Sequence, residues 1–259
     1  MLRVMSFNLR TGTADDGPNS WPQRCDTVIR VVERLAPDVL GVQECLDFQG
    51  EFLRTRLPGY GFVGVGRNDG VRAGEFAAVL YKRDRLKMLD VRHTWLSLTP
   101  EVPGSKGWDA HMSRNATLAT LEDRLTAMRF IAINTHLDHR GVLSRTESAR
   151  VLAAQLHPAT PTVLMGDLNC LPDSEPYRLL VGDGREGGPL RDTHRVAGHD
   201  ETDAGTFHSF TLQAQGRRID YIFVSPHWSV AATAIDRSTP DDRPPSDHFP
   251  ITATIALGQ

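Results

Sequence analysis

Short apolar runs in this chain end again and again in side chains bearing oxygen or imidazole nitrogen. Val4-Met5-Ser6-Phe7 leads to Asn8, and Val39-Leu40-Gly41-Val42 leads to Gln43 and Glu44. Phe130-Ile131-Ala132-Ile133 leads to Asn134, His136 and Asp138, and Thr162-Val163-Leu164-Met165 leads to Asp167 and Asn169. Near the end, Ser246-Asp247-His248 precedes the apolar run Ile251–Ile255. Carboxylates flanking buried strands are tolerated when paired or bound to a metal. One such event says little; several of them predict convergence on one pole of the fold. Oxygen-rich donors suit hard divalent cations, Mg²⁺ or Mn²⁺, rather than zinc. Histidines that are not ligands would then stabilise charge on phosphoryl oxygens, which points to metal-assisted hydrolysis of a phosphate ester.

The elements that must position these residues alternate between strand and helix patterns. Leu2–Asn8 alternates as a strand, and Ser20 before Pro22 and Gln23 reads as a capping box opening a helix. Val28, Val31, Val32 and Leu35 continue that helix, and Pro37 ends it. Further strands are expected near Val39–Glu44, Phe62–Val65, Phe76–Tyr81, Lys87–Leu96, Thr117–Leu121, Phe130–Thr135, Thr162–Met165, Ile219–Val224 and Ile251–Ile255. Helices are expected at Glu51–Leu57, Ser144–Leu156 and Glu175–Val181. Two halves share a rhythm of strand, polar residue, helix, strand, carboxylate. Asn8 and Glu44 lie 36 positions apart, His136 and Asp167 31 apart, as if two α/β layers ended at a shared rim. Loops rich in Gly or Pro fall at Thr13–Asn19, Arg67–Gly74, Thr99–Trp108, Gly182–Pro189, Gly198–Gly205 and Pro240–Pro245. None separates the halves as a linker, so one domain over residues 1–259 is expected.

Composition narrows the partners. A net charge of -3 leaves no global basic excess, which weakens the case for tight duplex binding but leaves room for a nuclease whose arginines lie near the site. Cys25, Cys45 and Cys170 have neither disulfide nor zinc spacing and read as small buried thiols. The opening residues read as a strand rather than a leader, and no run approaches a membrane span, so a cytoplasmic location is expected. No protein partner is implied. Gly59-Tyr60-Gly61-Phe62-Val63-Gly64 satisfies GxGxxG, but a strand-like run follows where a dinucleotide site needs a helix, so it reads as a turn. Trp21, Trp95 and Trp108 are candidates either for stacking on a base or sugar or for packing.

Taken in order, Ser6-Phe7-Asn8, Gln43-Glu44, Asn134-Thr135-His136-Leu137-Asp138, Gly166-Asp167-Leu168-Asn169, Arg218-Ile219-Asp220-Tyr221-Ile222 and Ser246-Asp247-His248 resemble the motifs of the endonuclease/exonuclease/phosphatase superfamily. The resemblance implies a four-layer α/β sandwich, two packed mixed β-sheets flanked by helices. It implies that Glu44 is the main metal ligand, with Asn8 and Asp247 close to the ion. Asp167 would deprotonate the attacking water and Asn169 would hold that water or a phosphate oxygen. Asp220 would orient His248, which donates to the phosphate, while His136 contacts the same phosphate. Asn8 is also a candidate substrate contact. Arg114 is a candidate phosphate clamp, and Asp138 and His139 are open between loop and site roles. Abasic-site endonucleases carry a lysine after the glutamate and a tyrosine at the position of His136, so a role in abasic repair is not expected here. The substrate is expected to be a nucleic acid, with 3′-5′ exonuclease action on RNA or single strands one form, or a small phosphorylated sugar, lipid or metabolite. A phosphate-binding protein without turnover is the reading from another class, and the intact carboxylates and His248 speak against it.

Overall fold

The structure is a computed structural model and describes residues 1–182, 189–213 and 217–258. Its strands are β1 (Leu2–Asn8), β2 (Val39–Cys45), β3 (Tyr60–Val63), β4 (Phe76–Lys82), β5 (Leu86–Trp95), β6 (Asn115–Asp123), β7 (Arg129–His136), β8 (Thr162–Asp167), β9 (Arg191–Asp192), β10 (Asp220–Val224), β11 (Trp228–Ile235) and β12 (Ile251–Leu257). Helices are α1 (Trp21–Leu35), α2 (Asp47–Arg56), α3 (Val142–Ala153), α4 (Glu175–Val181) and the single turn α5 (Thr193–Val196). One six-stranded sheet runs β11-β12-β1-β2-β4-β3, the other β5-β6-β7-β8-β10-β9. Each holds one parallel pair, β1 with β2 and β7 with β8, among antiparallel neighbours. The shared rhythm of the two halves therefore corresponds to one strand-helix-strand unit in each sheet.

Strand alternation separates three apolar clusters. Val4, Val39, Val79, Phe130, Met165, Ile222 and Ile255 face inward and fill the space between the sheets. Met5, Phe7, Leu40 and Val42 point the other way and pack under α1 through Val28 and Val32. Ile133 and Leu164 do the same on the second sheet, beneath Leu152 and Leu180. Residues one position apart thus serve different layers, as the period of two requires. The result is helix, sheet, sheet, helix, the sandwich that the motifs implied.

Toward one pole the inter-sheet core turns polar. Gln43 Nε2 donates to Ser6 Oγ at 3.1 Å and to Asn134 Oδ1 at 2.6 Å, and Asn134 Nδ2 donates across to the carbonyls of Val42 and Ala78. Gly41 allows that approach, since a Cβ there would meet Asn134 Oδ1 and Met165 Cγ, each at 2.7 Å.

Several sequence expectations shift in detail. Ser20 does stand before α1, but its side chain makes no capping bond, so no capping box forms. The helix expected at Glu51–Leu57 starts earlier, at Asp47, where Gln49 Oε1 accepts from the Leu46 N–H. Strand β11 is an addition, because small residues and an exposed edge leave it little apolar signal. The GxGxxG segment runs into β3, as a turn should. Residues 183–188 of the Gly182–Pro189 loop lie outside the described residues.

Candidate active site

The polar pole lies where the parallel strands end. Asn8 closes β1, His136 closes β7 and Asp167 closes β8. In the second sheet His136, Asp167 and Asp220 form one row across three strands, with Asp167 paired to each neighbour by register. Gly166 makes the row possible. Its φ is +150°, and a Cβ there would sit 2.0 Å from the Thr135 carbonyl oxygen. Glu44 reaches the same pole by another device. Val42 pairs with Ala78 and Cys45 with Phe76, so two residues of β2 oppose one of β4. Glu44 lies in that bulge at φ 54° and is turned out of the ladder.

A cleft of about 510 Å³ opens over this pole. Glu44, Arg114, His136, Asp167, Asn169, Asp247 and His248 line it. Asn8 and Asp220 lie beneath, bonded to the lining. The structure thus gathers all nine of these candidates, from both sheets. His248 Nδ1 and Asp220 Oδ2 are 2.9 Å apart, which leaves Nε2 toward Asp167 at 3.9 Å. His136 Nε2 is 2.9 Å from Asn169 Nδ2 and 3.5 Å from Asp167 Oδ2. Asn8 Nδ2 donates to Glu44 Oε1 at 3.1 Å and to Asp167 Oδ2 at 2.9 Å, while its Oδ1 accepts from the Arg10 N–H. Asn8 therefore bridges two carboxylates, and its own oxygen is already engaged.

Burial sets the electrostatics. It drives the Asp167 carboxyl upward, Asp220 beside it adds to the rise, and the result is about 7 despite His248. Burial opposes charge on His248, yet the carboxylates of Asp220, Asp167 and Asp247 outweigh it and hold the imidazole at about 10. His136 goes the other way. Desolvation, with Arg114 and Arg67 nearby, keeps it well below the usual histidine range and hence neutral. Desolvation opposes charge on Glu44 too, but His248 and the N–H donors of Asn8 and Thr11 bring its carboxyl below the ordinary value. Asp247 is raised by burial and by the charge of Glu44.

Which donors fit a cation? Ligand atoms of Asp167, Asp220 and His248 lie within 4.8 Å of one another, close enough for an ion. Their proximity already has a cause in the Asp220–His248 hydrogen bond. Glu44 and Asp247 offer the better hard-oxygen pair. Both line the cleft, and the charge of Glu44 raises the cost of charging Asp247, a repulsion that a divalent cation relieves. Arg114 is buried on the cleft lining; its Nε and Nη1 make no hydrogen bond and stand 3.8 Å from Asp138 Oδ2 and Glu75 Oε2, a place from which the guanidinium could also meet an anion.

Other expectations resolve differently. Asp138 Oδ1 accepts the Arg140 and Gly141 N–H groups and its Oδ2 accepts that of Met112, so it is a turn-former standing 3.8 Å from Arg114. His139 lines the cleft beside Arg114. Trp21 and Trp95 are buried, the first edge-on to Phe52 and the second donating to the Arg67 carbonyl. Trp108 does not line this cleft. The lining also includes Arg10, Glu75, Phe207 and Arg217, which sequence reasoning missed. For Arg10 the signal was its place two residues past Asn8; Phe207 offered none, since its ring reaches His248 from a loop 41 positions away.

The profile of the Endonuclease/Exonuclease/phosphatase family matches residues 5–248. A mannosyl-6-phosphatase from Bacteroides thetaiotaomicron is 32% identical, with 99% of this chain and 100% of that one covered and a TM-score of 0.91. An endonuclease/exonuclease/phosphatase from Bacteroides vulgatus is 34% identical over 99% of each chain, with a TM-score of 0.90. An uncharacterized protein of Acanthamoeba polyphaga mimivirus is 27% identical over 146 residues, 53% of this chain and 54% of that protein. The chain therefore spans about half the length of that curated relative.

Proposed function

The chain belongs to the endonuclease/exonuclease/phosphatase family, and from that premise we propose that it is a divalent-cation-dependent phosphatase acting on a compact phosphorylated molecule such as a sugar phosphate. The observation that carries the hydrolytic reading is the row His136–Asp167–Asp220 facing Glu44, Asp247 and His248 across one cleft. The compact substrate is supported by the cleft volume, by the absence of a basic excess and by the likeness to the Bacteroides mannosyl-6-phosphatase. Of the three tryptophans that the sequence leaves open between stacking on a base or sugar and packing, Trp21 and Trp95 are buried. In their place the partly exposed ring of Phe207 offers one aromatic face, enough for a sugar.

The geometry supports the following roles. Asp167 takes the proton of the attacking water, its carboxyl being near 7 and its orientation fixed by Asn8. Asn169 sits one hydrogen bond from His136 and can hold that water or a phosphoryl oxygen. His248, kept protonated by Asp220, donates from Nε2 to the phosphate as negative charge accumulates. His136 and Arg114 supply further contacts to the same oxygens. Attack forms a new P–O bond and breaks the bond to the alcohol. Glu44 and Asp247 would hold Mg²⁺ or Mn²⁺, which when bound supplies positive charge to the phosphoryl or leaving oxygen.

The test is a screen of sugar phosphates, inositol phosphates and oligonucleotides with Mg²⁺ or Mn²⁺, with and without chelator. Chelator-sensitive release of phosphate from a sugar phosphate is expected. Preferential oligonucleotide cleavage would overturn the compact substrate. Failure to turn over any ester, bis-p-nitrophenyl phosphate included, would overturn the enzyme.

A further inference from the structure

Helix α1 carries an arginine that none of these roles uses. Arg24 is fully buried, and all three of its nitrogens donate to backbone carbonyls. Nε bonds Asn19 at 2.9 Å, Nη1 bonds Leu9 at 2.5 Å and Pro245 at 3.0 Å, and Nη2 bonds Arg10 at 2.8 Å. Trp21 and Phe210 cover the guanidinium, with ring centroids at 5.2 and 5.9 Å. Burial brings it down to about 10, so it is still cationic at neutral pH, and Asp247 and Asp16 help to keep it so.

Asn19 precedes α1 itself, and the other three carbonyls belong to two segments that flank the candidate cation site. Leu9 and Arg10 lie between Asn8 and Thr11, the two residues whose N–H groups bond the Glu44 carboxylate. Pro245 lies two positions before Asp247. A second tie joins the same segments, since Ser246 Oγ donates to the Asn8 carbonyl at 2.7 Å. The segments come from positions more than 230 apart in sequence, and no ladder bond joins Leu9 or Arg10 to Pro245. Arg10 adopts φ 56°, so the backbone there is turned and its carbonyl points inward to be met. Arginine suits this task because its rigid fork can satisfy several carbonyls at once, which a lysine cannot do in the same geometry.

We propose that Arg24 is a positioning residue that fastens the exit of β1 to the Pro245–His248 segment and thereby sets the spacing of Glu44 and Asp247 for the divalent cation. The inference rests on the reading of Glu44 and Asp247 as the cation's ligands. It does not require Arg24 to touch substrate, cation or reacting atoms. Groups that orient ligands in this way typically govern affinity by about ten- to a hundredfold.

The experiment measures Mn²⁺ binding to the purified chain by electron paramagnetic resonance, with no substrate present. Wild type, Glu44→Gln, Arg24→Met, Arg24→Lys and Arg24→Ala are compared at a temperature well below each melting point. Arg24→Met is expected to raise the Mn²⁺ Kd about tenfold or more. Arg24→Lys, with charge and length retained but the fork lost, is expected to fall between it and wild type. Millimolar guanidinium is expected to restore part of the affinity of Arg24→Ala by entering the vacated space. A folded Arg24→Met with a Kd within about twofold of wild type would overturn the proposal. Where Arg24→Met does not fold, Arg24→Lys carries the same test: a Kd unchanged from wild type overturns the proposal, a raised one supports it. Should wild type bind no Mn²⁺, or bind it equally well without Glu44, the ligand assignment itself fails, a result distinct from failure of the Arg24 inference.

Discussion

The two strand-helix-strand units deliver carboxylates to the same cleft and treat them in opposite ways. In the first sheet Glu44 sits in a bulge, partly exposed, with N–H donors on both oxygens, and its carboxyl is held below the usual value. In the second sheet Asp167 stays within the ladder, 1% exposed and directly opposite Asp220, and its carboxyl is raised to about 7. A carboxyl held below its ordinary value is suited to holding a cation at neutral pH. A group that exchanges its proton near neutrality is suited to acting as a base. On the proposed roles, environment rather than residue type divides the work. The sharpest way to break this comparison is Asp167→Asn, which keeps the shape and removes the base. It is expected to lower kcat by about a hundredfold or more while Mn²⁺ still binds. A fall of less than tenfold, measured on the best substrate of the screen, would show that Asp167 is not the base.

Glu44→Gln tests the other half. It is expected to raise the Mg²⁺ or Mn²⁺ concentration for half-maximal activity by about tenfold or more. An unchanged metal titration would move the cation away from the first sheet. A smaller and subtler effect follows from Asp220, which acts on both Asp167 and His248. Wild-type activity is expected to rise with pH through about 7, as Asp167 ionises, and to fall toward about 10, as His248 loses its proton. The two limbs belong to the interacting set rather than to either residue alone. Asp220→Asn removes a charge that raises both groups, so both limbs of kcat/KM are expected to move toward acid. Limbs that stay in place would mean that Asp220 only packs.

Much of this arrangement is legible in the order of the residues. Apolar runs mark the strands, and the polar residue closing each run marks the pole. The rule works because a strand buried on both faces has almost no polar positions except at its ends, where function resides. Edge strand β11 stays hidden, since Ala231, Ala232 and Thr233 bury little and resemble a loop. Asn8 is legible as a site residue, though its engagement with Arg10, Glu44 and Asp167 is not, because hydrogen-bond direction is a tertiary property. Arg24 leaves a faint trace. With Trp21, Val28 and Val32 it shares the buried face of α1, and a cation on an apolar helical face needs carbonyls or carboxylates to meet it. Glu75 and Phe207 leave none, since only folding brings them to the cleft.

The smallest expected effect comes from Cys170, and it bears on the same contrast. This thiol adjoins Asn169 and lines the cleft, a place where a nucleophile could be imagined. Burial pushes it up to about 11, by the same desolvation that lifts Asp167. At neutral pH it is then a thiol, not a thiolate, and a poor nucleophile. Cys170→Ala is expected to leave kcat/KM within about threefold of wild type, and iodoacetamide is expected to modify Cys170 far more slowly than an unfolded control. Rapid alkylation of Cys170 itself in the native chain near pH 7, distinguished from the partly exposed Cys25, would mean that the end of β8 is more open to water than its burial implies. Asp167 would then titrate in the ordinary carboxylate range, and the division of labour between the two sheets would need another cause.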